Sequence, residues 1–202
     1  MMAAGELRVY RALYLNREGL HIRDISKKAD LTLPAVSAHV RKGEERGVIS
    51  CTTKGRMKTC RLNLGRKELV PVLQEVEWSR FVQLPGAIRR SINSFLDDLQ
   101  EKPLIALLFG SFATGKQGSA SDVDVLLVYQ RVDDVLMKNV EASAAKINGR
   151  TRANIQPVSI SYDEFRKEML NARNEFMKDI RRSGLVVCGM EAYLGLIAGV
   201  YA

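Results

Sequence analysis

The chain has 202 residues, 46% apolar and 27% charged, which suits an ordinary globular protein with one larger or two small folded units and excludes fibrous, low-complexity and disordered classes. No apolar run approaches bilayer length, and the mixed, charged opening MMAAGELRVYRAL does not read as a signal peptide, so neither membrane insertion nor secretion is expected. The net charge of +8 is unevenly spread: residues 1–64 hold 13 of the 31 Lys/Arg and 6 of the 23 Asp/Glu, a net of +7, which points to a polyanionic partner for that third of the chain. The three cysteines, Cys51, Cys60 and Cys188, are odd in number and sparse, which argues for reduced thiols and a cytoplasmic setting.

Residues 5–17 place Leu7, Tyr10, Leu13 and Tyr14 at helical spacing, and Gly19 is a stop. A short second helix over 21–29 carries Ile22, Ile25 and Ala29 on one face. Asp30-Leu31-Thr32 is a tight connection, with Thr32 as an N-cap and Pro34 suited to the first turn of the next helix. That third helix, Leu33 to Arg46, turns Val36, Val40 and Gly43 inward and leaves Ala35, Ser37, Ala38, Arg41, Lys42 and Glu45 on its other side. Val48 to Thr52 and Met57 to Asn63 read as two strands joined at Lys54-Gly55-Arg56. A turn there sets Cys51 opposite Cys60. Their C-x8-C spacing matches no standard zinc pattern with His21 or His39, and two reduced, half-buried thiols are expected.

Helix, helix, short turn, helix and basic hairpin, carried by ISKKADLTLPAVSAHVRKGEERGVIS and Lys54-Gly55-Arg56, resemble a winged helix-turn-helix domain over about residues 5–63. The resemblance implies double-stranded DNA as the partner, with the third helix in the major groove and the hairpin on the backbone or minor groove. On these positions it implies that Thr32, Ser37, Ala38, Arg41 and Lys42 face bases and phosphates and that Lys54, Arg56 and Lys58 lie on the wing. It also implies a homodimer. Gly43 departs from the pattern, standing where such domains carry a large apolar residue, which leaves a gap for another element to fill or a less stable unit.

Residues 64–84 are helical in pattern, with Leu69, Val72, Leu73, Val76 and Phe81; Pro71 suits a first turn or a kink. Trp78 and Phe81 form an apolar pair suited to a domain interface or a dimer seam. Pro85-Gly86 is a break, and 87–100 is a helix burying Ile88, Ile92, Phe95, Leu96 and Leu99. Leu104 to Phe109 is short and apolar enough for a buried strand. Gly110-Ser111 turns the backbone, and Ser121-Asp122-Val123-Asp124 leads into a second apolar run, Val125 to Tyr129. On a strand, Asp122 and Asp124 share a face and Val123 takes the other. Two carboxylates side by side repel, so burying them calls for a cation, and Mg²⁺ suits hard oxygen ligands shared with phosphates. Beyond Tyr129 follow a helix over 133–147, a strand over 152–161, a helix from Ser161 to Leu170 with a capping box at Glu164, a helix over 174–182, a strand over 185–188 and an apolar helix over 190–202.

FGSFATGKQGSASDVDVLLV resembles the core motif of the nucleotidyltransferase superfamily, the group that includes polymerase beta, most closely its minimal branch, over about residues 87–190. The resemblance implies a nucleoside triphosphate, ATP by expectation, held at Gly110, Ser111, Lys116 and Ser121, with Asp122 and Asp124 as catalytic acids and Mg²⁺ ligands. It also implies a third carboxylate on a later strand. Here Gln156 stands in that position, or Asn154 in the alternative register, and neither is acidic. The expected fold is α+β: a winged helix-turn-helix over 1–64, a helical linker over 65–84 and a nucleotidyltransferase-like mixed sheet flanked by helices over 85–202. The expected function is a DNA-binding regulator with a nucleotide- and Mg²⁺-binding domain. The alternative is an active transferase moving a nucleoside monophosphate onto a partner protein or a small-molecule hydroxyl.

Overall fold

The structure is a computed structural model and describes residues 3–55, 57–118 and 121–201, with only the backbone of Lys54. The chain divides into two units, 1–76 with 197–202, and 77–196. No helix of the described residues is long and apolar enough to cross a membrane.

The N-terminal unit contains α1 (Ala4–Tyr14), β1 (Leu20–His21), α2 (Ile22–Ala29), α3 (Leu33–Glu45), β2 (Ile49–Lys54) and β3 (Met57–Leu62). The strands form an antiparallel sheet in the order β1-β3-β2. The sequence reading missed β1: its two residues, Leu20 and His21, pair with Cys60 and Thr59, a contact no local pattern announces. The buried faces of α1 (Val9, Tyr10, Leu13, Tyr14), α2 (Ile25, Ala29) and α3 (Val36, Val40) lie at the helical spacing of the sequence. Thr32 is the N-cap residue of α3, but its side chain makes no capping bond; only its carbonyl takes part, accepting from Val36 N–H at 3.0 Å.

Ile49 fills the gap at Gly43. A Cβ on Gly43 would lie 2.6 Å from Ile49 Cδ1 and 2.8 Å from its Cγ1, so the missing side chain admits a branched one from β2. Ile49 is buried as a result. The hairpin register sets Cys51 against Cys60 as expected, but the two are disulfide-bonded rather than reduced thiols. Direct cross-strand facing, with Cα atoms 4.1 Å apart, brings the sulfurs together, and the cysteine count carries no information about that facing. The thiol argument for a reducing compartment therefore does not stand.

A buried carboxylate links α1 to α3. Glu6 accepts from Tyr10 OH at 2.9 Å, Lys42 Nζ at 3.2 Å and Arg46 Nη1 at 2.7 Å. Burial pushes its pKa up, but the hydrogen bonds from Tyr10 and Lys42 and the charges of Lys42 and Arg46 outweigh burial and hold it below the ordinary carboxylate value.

After a 3-10 turn (Lys67–Leu69), α4 (Val70–Phe81) carries the division between the units, and α10 (Met190–Tyr201) carries the second division. The second unit adds α5 (Gly86–Asp98), β4 (Ile105–Leu108), α6 (Gly110–Thr114), β5 (Val123–Tyr129), α7 (Asp134–Asn148), β6 (Ile155–Ser161), α8 (Tyr162–Leu170), α9 (Glu175–Ser183) and β7 (Leu185–Cys188). Its sheet has the order β6-β5-β4-β7 and is mixed: β5 is antiparallel to β4 and parallel to β6, with α7 as the crossover. The fold is thus α+β, with helices flanking a mixed sheet. Ala106, Leu108, Val123, Val125, Leu127 and Tyr129 pack with Ile92 and Phe95 of α5 and Val140 and Ala144 of α7. Leu107, Leu126 and Val128 take the opposite face, where α8 meets β5 and β6. Asp133, Ser161 and Asn174 cap α7, α8 and α9 by accepting from Leu136, Glu164 and Met177 N–H.

The Gly43–Ile49 fit predicts a coupled pair. Gly43→Leu is expected to cost about 1–3 kcal/mol by overpacking and Ile49→Ala about 2–5 kcal/mol by leaving a cavity. The double variant should be more stable than the sum of the two losses, as measured by urea denaturation.

Candidate functional site

The candidate site is built where β5 meets its neighbours. Val123, Val125 and Leu127 point into the helix-covered core, so the pleat turns Asp124 to the other face, with Asp122 one step before the strand. Phe109 N–H donates to the Asp124 carbonyl at 3.1 Å, which extends the β4–β5 ladder by one rung and brings the chain reversal beside Asp124. Gly110 lies at φ +66°, and a Cβ there would overlap the Asp124 carboxylate. Two separate requirements, left-handed backbone and close approach, therefore select glycine at this position. The single-turn α6 follows. Phe112 and Ala113 are buried, and Thr114 Oγ1 donates back to the carbonyls of Gly110 and Ser111, both at 3.1 Å. Gly115 ends the turn at φ +70°.

Asp122 is exposed and Asp124 half-buried. Burial first, and the Asp122 charge second, push the Asp124 carboxyl above the ordinary carboxylate range. The donor set, two carboxylate groups flanked by neutral amides, fits one hard divalent cation. Among the described residues no group of three or more His, Cys, Asp or Glu could hold a metal.

The strand opposite supplies those amides. In the parallel register Asp124 aligns with Gln156, so Gln156 shares the acid face. Asn154, the alternative reading for the third position, has a different role. Its Nδ2 donates to Asp122 Oδ1 at 2.8 Å, and its carbonyl donates nothing but accepts from Val123 N–H at 2.8 Å. Asn148, at the end of α7, donates to Asn154 Oδ1 at 3.2 Å, which turns the Asn154 amide nitrogen toward Asp122. Asn148 also brackets Ile155, donating to its carbonyl at 3.0 Å and accepting its N–H at 2.8 Å. Sequence reasoning takes Asn148 only as part of the stop after the 133–147 helix and does not find this role, which depends on where α7 ends relative to β6.

The remaining expected nucleotide contacts divide. Gly110 and Ser111 sit at the reversal beside Asp124. Lys116 has an exposed side chain, and its N–H bonds to the Ser111 carbonyl at 3.0 Å. Ser121 does not touch the acids in any bond described; its hydroxyl accepts from Gly118 N–H at 2.8 Å and closes the loop that precedes them.

The expected DNA contacts also divide. Thr32, Ser37, Ala38 and Arg41 are exposed on α3 or at its start. Arg41 faces Glu45 across one turn at 3.9 Å, with both side chains largely in solvent, a pair worth only about 0.3–0.5 kcal/mol. Lys42 is engaged by the buried Glu6, and Lys58 by Glu44 at 2.8 Å. Arg56 and the Lys54 side chain lie outside the described residues.

Residues 90–187 match the family model described as polymerase beta, nucleotidyltransferase. The match begins inside α5 and runs through β4, α6, β5, α7, β6, α8 and α9 into β7, so it contains the acid pair, the Gly110 reversal and both amides. No curated protein matches the chain.

Because Asp124 is raised, its ionisation costs the folded state stability. That cost is absent below the ordinary carboxylate pKa and fully present above the folded one. Asp124→Asn is therefore expected to raise Tm at pH 7 in metal-free buffer, with the gain shrinking as pH falls through the carboxylate range, as followed by thermal denaturation across pH.

Proposed function

From a nucleotidyltransferase-fold domain with two of its acids and no third, we propose that the protein is a DNA-binding regulator whose C-terminal domain holds a nucleoside triphosphate with a single Mg²⁺. The observation that carries the nucleotide half is the pairing of Asp122 and Asp124 beside the left-handed Gly110 turn, facing amides at Asn154 and Gln156. Asp122 and Asp124 would hold the ion, which when bound supplies charge neutralisation for phosphate oxygens. Gly110 and Ser111 let the phosphates approach the backbone closely. Asn154 orients Asp122, and Gln156 offers a neutral oxygen where a second metal would ask for a carboxylate. In this reading ATP is the expected nucleotide.

The DNA half is supported by the net charge of +7 over residues 1–64, by the helix, turn, helix and hairpin order, and by the open side of α3 with Ser37, Ala38 and Arg41. In this reading the N-terminal domain is a winged helix-turn-helix, α3 enters the major groove and the β2–β3 hairpin rests on the backbone. Lys42 and Lys58 are partly neutralised by Glu6 and Glu44, so Arg41 carries more of the phosphate contact than charge counting suggests. In this reading the regulator acts as a homodimer. The second reading, active transfer of a nucleoside monophosphate to a partner protein or small-molecule hydroxyl, is favoured by the family match alone.

Mg²⁺-dependent binding of a fluorescent ATP analogue is expected for the wild-type protein and at least ten-fold weaker for Asp122→Asn. No binding of any of the four nucleotides with Mg²⁺ would reject the nucleotide half. Label transferred from an NTP to lysate protein or a small acceptor, and lost in Asp122→Asn, would favour the second reading.

For DNA, binding to a selected duplex should weaken steeply with salt, and Arg41→Ala should lower the slope of log K against log[salt] by about 1. Equal affinity for selected and random duplexes would reject the regulator.

A further inference from the structure

Arg80 sits in the last turn of α4, in the segment whose sequence reads as a linker, and outside the residues that match the family. Both terminal nitrogens of its guanidinium are engaged. Nη1 donates to Glu77 Oε2 at 2.7 Å and to the Gly184 carbonyl at 3.1 Å. Nη2 donates to the Ala113 carbonyl at 3.0 Å and to the Ser183 carbonyl at 2.9 Å. Ala113 is one residue from the end of α6, Ser183 is the last residue of α9, and Gly184 is its C-cap. One planar cation thus serves the carbonyl ends of two helices, where free acceptors and the negative end of the helix dipole gather. The Glu77 carboxylate, only 2% exposed, balances its charge.

The consequence lies three residues upstream of Ala113. A helix of five residues has no stability of its own, so external anchors decide where α6 sits. At its start the anchor is the ladder bond from Phe109 N–H to the Asp124 carbonyl. In its middle the anchor is the burial of Phe112 and Ala113. At its end the anchor is Arg80. The Gly110-Ser111 turn, pressed against the Asp124 carboxylate, is held between the first and the last of these.

We propose that Arg80 is a positioning residue for the nucleotide site, fixing α6 and with it the Gly110-Ser111 turn against Asp124. This rests on the nucleotide reading above. A lysine cannot take the place, because its ammonium lacks the planar fork that reaches three carbonyl groups and a carboxylate at once.

The test uses the full chain with Arg80→Lys, which keeps a positive charge beside Glu77. Two readouts are taken: hydrogen exchange over residues 110–118, which needs no nucleotide, and the Mg²⁺-dependent affinity for a fluorescent ATP analogue. The expected result is exchange at least ten-fold faster over 110–118 with exchange in β5 and α7 unchanged, and affinity weakened about five- to twenty-fold. A role confined to global stability would move exchange throughout the domain and leave affinity at saturating fold unchanged. Wild-type exchange over 110–118, or wild-type affinity, in Arg80→Lys overturns the proposal. Should Arg80→Lys fail to fold, Arg80→Gln with Glu77→Gln removes both charges of the pair together and is read in the same way. Lack of binding of all four nucleotides by the wild-type protein sinks the nucleotide reading itself, whereas wild-type binding that Arg80→Lys leaves untouched sinks only this inference.

Discussion

β5 is hydrogen-bonded on both sides, antiparallel to β4 and parallel to β6, and the register of those two ladders determines the surroundings of the acid pair. The side-chain period of a strand is two, so a slip of one residue would turn Asp124 into the apolar core and Val123 and Val125 out of it. The burial of Val123, Val125, Leu127 and Tyr129 against α5 and α7 makes such a slip costly, since each buried aliphatic side chain contributes about 1.5–3 kcal/mol. The hydrophobic core on one face thereby holds the chemistry on the other. The β4 ladder delivers Gly110 beside Asp124, and the β6 ladder delivers Gln156 beside Asp124 and Asn154 beside Asp122.

The acid pair is electrostatically incomplete within its own unit. Burial and the Asp122 charge raise Asp124, and the side-chain bond described to the pair, from Asn154 to Asp122, comes from an amide, which hydrogen-bonds without cancelling charge. Asn148 and Asn154 form a chain of amides that orients a donor toward Asp122, and Asn148 ties the end of α7 to the start of β6 as well.

The N-terminal unit uses part of its positive charge internally. Glu6 is almost wholly buried, yet stays ionised because Tyr10, Lys42 and Arg46 converge on it. Lys58 is paired with the partly exposed Glu44. A count of basic residues therefore overstates what the surface offers, and Arg41, held only by an exposed contact to Glu45, is the basic side chain on α3 that costs least to redirect.

Most helices and strands were legible in the sequence because each depends on periodicity within a dozen residues. The helices at 86–98, 134–148 and 175–183 and the strands at 105–108 and 123–129 follow from apolar spacing, and the helix after Ser161 from its local cap chemistry as well. The shared face of Asp122 and Asp124 and the facing of Cys51 and Cys60 were legible for the same reason, as strand alternation and hairpin arithmetic. What only the tertiary structure decided involves groups distant along the chain. Ile49 fills the space above Gly43, the two facing cysteines are bonded, Lys42 belongs to Glu6, Asn154 turns to Asp122, and Arg80 reaches residues 113, 183 and 184. The sequence by itself determined which residue types stand where two carboxylates and a tight turn can meet. Which of their lone pairs and charges are already occupied was set by folding, because a hydrogen bond depends on distance in space and the sequence records only distance along the chain.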